Sequence, residues 1–167
     1  MKKYELTEET FTVFGKTLYR IRAVRDFGSV KTGEFGGYIE KEENLSHFGN
    51  AWISGDARVF GDARVSGDAR VSGNARVFGN ARVFGNAEVF NTRHFFVQGP
   101  IGSRDGYVTF YRTKDDTVEV RCGCFSGSLQ EFVNQVEETH GGSRYEKEYK
   151  LAAELAKVCI RLEGESR

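Results

Sequence analysis

Proline, cysteine and any surplus of one charge are all scarce in this sequence. Lysine and arginine together number 24, as do aspartate and glutamate, so no global field draws the chain to nucleic acid or to an anionic membrane. The balance also holds locally, with eight residues of each sign in positions 1–54. Three cysteines, an odd number, fit reduced thiols rather than a disulfide framework. No apolar run is long enough to span a bilayer and no signal-peptide pattern appears, which gives the expectation of a cytoplasmic protein with no membrane or nucleic-acid partner. The single proline is Pro100, and the 20 glycines belong to a repeat rather than to disorder.

That repeat runs from Gly49 to Phe90 as seven uninterrupted hexads of the form G-[DN]-A-x-[IV]-[FS]. A fixed period over such a length marks an array. Within each hexad the alanine and the β-branched residue two positions on, as in Ala57 and Val59, share one face of a short strand. The residue between them then points outward, and it is Arg58, Arg64, Arg70, Arg76, Arg82 and finally Glu88. The Gly-Asp or Gly-Asn pair supplies the corner, because glycine accepts positive φ and Asn or Asp bonds its own backbone. One hexad cannot bury its apolar face alone, so the hexads must stack coil upon coil.

Val59, Gly61, Asp62 and Ala63 show an aliphatic residue, a Gly-Asp turn and a small residue four positions after the aliphatic. This pattern resembles that of hexapeptide-repeat proteins, whose fold is a left-handed parallel β-helix. The resemblance implies three hexads per triangular coil, stacked neighbours 18 residues apart, and three subunits. Val59 is then expected under Val77, Val65 under Val83, and Val71 between Ile53 and Val89. The stretches RDFGSV, GGYIEKEENLS and GNAWI also resemble the opening of the YdcK-like bacterial and prophage proteins, which are labelled acetyltransferases or polymer-forming proteins.

Residues 10–24 alternate as two strands around a Gly-Lys turn. If Glu43–Phe48 is a degenerate hexad, Leu45 takes the alanine slot and His47 the inward valine slot. Beyond Gln98 the composition changes. GPIGSRDG reads as a loop, YVTFYR and TVEVRC as strands, and SLQEFVNQVEETH as a helix capped by Ser128 and Glu131 and stopped by Gly141 and Gly142. Residues 144–162 form a second helix. The expected fold is mainly β: an N-terminal cap over 1–30, a left-handed β-helix over 31–96, and a small α+β tail (ββαα) over 97–167. GSR, CGCF and the TH-GG helix end resemble a segment of phage-encoded proteins.

Five features carry candidate chemistry. Hexapeptide-repeat acyltransferases, which the coils resemble, use a histidine base, so His47 and His94 near the array ends are the catalytic candidates. The three histidines are too widely spaced for the zinc site of γ-carbonic-anhydrase-like proteins. Cys122, Cys124, His140 and Cys159 are chemically able to form a Cys₃His metal site, although the thiols read equally as small core hydrophobes. Gly102, Ser103 and Arg104 offer backbone N–H groups and a guanidinium to a phosphate or carboxylate. Phe60 and Phe78, one coil apart, form an apolar strip that fits an interface between subunits. The arginine ladder, interleaved with Asp56, Asp62 and Asp68, reads as a solvated, ion-paired face.

The functional expectation is a non-catalytic homotrimeric binding protein without cofactors, phage-encoded and directed against a host defence pathway. Its partner would be a host protein or a small anion such as a nucleotide signal. An acyltransferase is the enzymatic alternative, and a polymer-forming coil is the third.

Overall fold

The computed structural model describes residues 1–163 and divides into two compact units, Met1–Thr92 and the chain from Arg93 onward. The first unit opens with a hairpin of β1 (Tyr4–Val13) and β2 (Lys16–Ala23). Its turn is Phe14-Gly15, both at positive φ (48° and 74°), rather than the Gly-Lys pair. Two left-handed residues match the twist of the flanking strands. Strand β3 (Phe35–Ile39) pairs antiparallel with β2 and parallel with the first repeat strand of its own ladder.

The repeats give β4 (Trp52–Ile53), β5 (Arg58–Val59), β6 (Arg64–Val65), β7 (Arg70–Val71), β8 (Arg76–Val77), β9 (Arg82–Val83) and β10 (Glu88–Val89). They form three parallel ladders: β3-β5-β8, β4-β7-β10 and β6-β9. Val59 pairs with Val77, Val65 with Val83, and Val71 with both Ile53 and Val89, as the 18-residue spacing requires. Every repeat alanine and valine from Ala51 to Val89 is at most 1 % exposed, so the interior is a closed apolar column. The corner glycines are fixed by space as well as by φ. A Cβ on Gly67 (φ 71°) would lie 2.9 Å from the Gly85 nitrogen one coil away.

The first coil departs from the expected register. Tyr38 pairs with Arg58 and Leu45 bridges to Val65, spacings of 20 residues, whereas Trp52 pairs with Arg70 at 18. Two extra residues therefore lie between Leu45 and Trp52. Leu45 occupies the valine slot rather than the alanine slot, and His47 falls outside the column. The buried Asn44 amide donates to the carbonyls of Gly61 (3.1 Å) and Ala63 (2.8 Å), replacing ladder bonds where the chain is irregular.

The second unit has four strands where two were expected: β11 (Phe95–Ile101), β12 (Gly106–Arg112), β13 (Val118–Cys122) and β14 (Phe125–Ser128), an antiparallel meander in that order. Half of GPIGSRDG is strand rather than loop, because Gly99, Pro100 and Ile101 belong to β11 and Gly106 opens β12, with only residues 102–105 in the turn. Pro100 sits on an edge strand, at a register shift between Gln98 and Ile101, where a missing N–H breaks no ladder. Helices α1 (Leu129–His140) and α2 (Arg144–Cys159) follow. The predicted capping box holds, with Glu131 N–H donating to Ser128 Oγ (3.1 Å) and Ser128 N–H to Glu131 Oε2 (2.7 Å). The core of this unit gathers Val108, Phe110, Val120, Phe132, Val136 and Ala153. No helix among the described residues is long and apolar enough to cross a membrane.

Candidate functional site

Each coil donates its N–H groups to the carbonyls of the next, as in Ser54 to Val71 (2.8 Å) and Arg58 to Ala75 (2.9 Å). The first coil therefore turns its own carbonyls toward the N-terminal end, where no further coil exists to satisfy them. Strand β2 covers one of the three ladders. Two buried side chains serve the others. Lys3 Nζ donates to the Ala51 carbonyl (2.7 Å) and more weakly to that of Gly49 (3.4 Å), and the Tyr4 hydroxyl donates to the carbonyls of Leu45 (2.7 Å) and Glu42 (3.0 Å). Burial, reinforced by the charges of Arg25 and Arg70, holds the Lys3 ammonium down to about 8. Burial, with Glu42 and Glu43 adding to it, raises Tyr4.

His47 belongs to this cap. Its ring stacks on Tyr4 at 4.2 Å between centroids, and its Nδ1 accepts the Lys3 N–H (3.3 Å), which leaves the ring proton on Nε2. Nε2 is 3.6 Å from a Glu42 carboxylate oxygen, and burial lowers the imidazole below its ordinary value. One ring face and Nδ1 are thus committed near the coil base. His94, the other catalytic candidate, lies in a short turn after the array and is 4 % exposed. His47 lies in the first unit and His94 in the second.

Beside the cap, the RDFGSV stretch closes a two-residue turn, with Phe27 and Val30 exchanging backbone hydrogen bonds of 3.1 and 2.9 Å. The turn lies against the coil. A Cβ on Gly28 would meet Arg70 Nη2 and Asn50 Cβ at 3.2 Å, and Arg70 Nη2 donates to Ser29 Oγ (3.1 Å). The Phe27 ring packs edge-on against Trp52 (5.3 Å) and receives the Lys3 ammonium over its face (4.9 Å). Asp26 turns away to accept from the Thr32 backbone and hydroxyl (2.8 Å each) and from Lys31, contacts that hold its carboxyl down to about 2. Arg25 Nε and Trp52 Nε1 are buried without an acceptor.

The Phe60 and Phe78 rings stack at 5.4 Å and 12°, as one-coil spacing demands. Phe60 is nevertheless only 5 % exposed within its own chain, against 46 % for Phe78. The expected strip is half covered before any subunit docks. Among the outward arginines, Arg58 stacks over the Phe11 ring (3.7 Å), and Arg82 donates to the Asp62 carbonyl (2.6 Å) while Lys41 pairs with the Asp62 carboxylate (3.1 Å).

In the tail, the proposed anion cradle is already occupied by the chain itself. Gly102 N–H donates to a Glu148 carboxylate oxygen (2.8 Å), while Ser103 and Arg104 stand exposed beyond it. An anion approaching Gly102, Ser103 and Arg104 would meet that carboxylate. Among the described residues no group of three or more His, Cys, Asp or Glu side chains is placed to hold a metal. Cys122 packs against the apolar core, which raises its thiol, Cys124 is exposed, and His140 stacks on Tyr149 at 5.6 Å.

The three parallel ladders, with their closed Ala/Val column, define a β-solenoid. The model of the YdcK beta solenoid repeat matches residues 51–67, 63–77, 69–83 and 75–89, so over 51–89 the chain is a repeat β-solenoid resembling YdcK. Comparison with curated proteins finds no match.

Proposed function

We propose that this protein is a non-catalytic binding protein, a left-handed coil that assembles as a homotrimer and offers its outer surface to a small anion or a host protein. The observation that carries this reading is the employment of His47. An imidazole acting as a general base must present an unencumbered nitrogen to substrate. The acceptor nitrogen of His47 is taken by the Lys3 N–H, and its ring is clamped on Tyr4. The closed apolar column supports the same reading, since it directs any partner to the exterior. Subunit association is supported by the half-exposed Phe78 ring and by the hexapeptide-repeat resemblance.

Thiol release from acetyl-CoA, measured over a panel of amine and hydroxyl acceptors, tests the proposal. No turnover above buffer is expected from the wild type, and His47→Ala should only lower the melting temperature. Turnover that disappears in His47→Ala would replace this reading with acyl transfer.

A further inference from the structure

Three cations, Lys3, Arg25 and Arg70, gather at the N-terminal end of the coil, and the carboxylate at its rim, Asp68, accepts from the Asn50 amide (3.0 Å) rather than from any of them. Lys3 is fully buried, and its donors reach only backbone carbonyls and an aromatic face. The half-buried Arg25 and Arg70 are close enough that their charges act on Lys3. Among the described residues no ion pair joins any of the three to an acid, and the nearest acid in sequence, Asp26, is committed to Thr32 and Lys31. Clustered like charges with low-dielectric walls repel one another and attract anions.

The hydrogen-bond inventory has the same sign. Lysine, arginine and the indole N–H are donors only, and two of these donors, Arg25 Nε and Trp52 Nε1, are buried without an acceptor. A buried donor left unpaired costs about 1–3 kcal/mol, and such groups in a native fold point to an unseen acceptor. Exposure is graded among these residues: Gly28, Ser29 and Asn50 are exposed, Arg25 and Arg70 half-buried, and Trp52 and Lys3 buried. The Arg70 fork already donates to Ser29 Oγ, which orients it.

We propose that the coil base, formed by Lys3, Arg25, Ser29, Trp52 and Arg70, binds a phosphate-type oxyanion, either inorganic phosphate or the terminal group of a phosphate monoester. A dianion matches three cations better than a carboxylate does, and its several oxygens suit guanidinium forks. The site lies wholly within the first unit and is separate from the Gly102–Arg104 loop. It rests on the binding reading above and gives it a ligand class. Loss of phosphate binding would leave the absence of turnover untouched, so the two fail separately.

Isothermal titration of the full chain in chloride buffer at constant ionic strength, with inorganic phosphate, adenosine monophosphate and acetate as separate titrants, tests it. Phosphate or the monophosphate should bind and acetate should not, and phosphate should compete with the nucleotide. Tight nucleotide binding with weak free phosphate would assign the site to an ester, and equal binding would assign it to the free ion. Arg25→Met and Arg70→Met should each weaken binding tenfold or more, and Arg64→Met, on another ladder, should leave it unchanged. Arg25 lies outside the sheet strands, so its variant remains readable if Arg70→Met fails to fold. No binding by the wild type, or wild-type affinity in Arg25→Met, overturns the proposal.

Discussion

Alanine placed at two equivalent corners separates backbone strain from coil stacking. Gly67 and Gly79 occupy the same hexad position at nearly the same φ, 71° and 67°. A Cβ on Gly79 meets nothing within 4 Å, whereas one on Gly67 meets the Gly85 nitrogen at 2.9 Å and its Cα at 3.3 Å. Both substitutions incur the left-handed penalty of about 1–2 kcal/mol, partly offset by about 0.4–1 kcal/mol because alanine stiffens the unfolded chain. Gly79→Ala should therefore cost about 1 kcal/mol or less. Gly67→Ala must in addition push two coils apart, stretching the Asp68–Gly85 backbone bond from 3.1 Å. Overpacking of this kind costs about 1–3 kcal/mol. At roughly 2–4 °C per kcal/mol for a chain of this size, Gly67→Ala should melt about 2–12 °C below Gly79→Ala by calorimetry. Equal melting temperatures, or a lower one for Gly79→Ala, would refute the 18-residue stacking of these corners.

Other perturbations probe the interior and the cap. Ala63→Glu puts a carboxylate into the closed column and should cost several kcal/mol, about what other unpaired buried charges cost, while Arg64→Glu, one residue on and exposed, should cost under about 1 kcal/mol; equal urea midpoints would sink the inward-outward assignment. Lys3 titrates near 8 in the fold against 10.5 when unperturbed, so between those values the unfolded chain holds a proton that the folded chain has lost. Stability should therefore rise between about pH 8 and 10 in phosphate-free buffer, by roughly 2–3 kcal/mol. Above pH 10 the raised Tyr4, Tyr111 and Tyr149 hydroxyls reverse the trend, because the folded state then retains the protons. Lys3→Met should abolish the rise, and a wild-type curve that is flat from pH 8 to 10 would contradict the placement of Lys3.

The array was legible in the sequence because its information is local: a Gly-Asn corner and an Ala-x-Val strand determine each other within six residues, and the 18-residue pairing follows by repetition. The ends were not. Lys3 reaches Ala51 across 48 residues, and nothing in MKKYEL distinguishes a capping amine from a solvated one. The slot taken by Leu45 was misjudged because the two-residue insertion lies in SHFGN, whose glycine falls in phase with the repeat while the residues before it do not. Phe95 and Phe96 fall within the expected β-helix of residues 31–96, and Gly99 and Pro100 look like a loop, although an edge strand tolerates both. Glu148 could not be paired with Gly102 from sequence, since that contact joins a helix to a strand end 46 residues away. Only the RDFGSV arginine and the array arginine at position 70 could have hinted at the cation cluster, and only with the turn folded onto the coil.

Native mass spectrometry of the protein purified from expressing cells without phosphate buffers tests the central claim most directly, because it reads subunit number and retained ligand together. The account predicts a particle of three chains of 18.8 kDa each, carrying phosphate-sized additional mass that Arg25→Met loses, and a trimer that Phe78→Glu dissociates. A wild-type monomer with no added mass would contradict it.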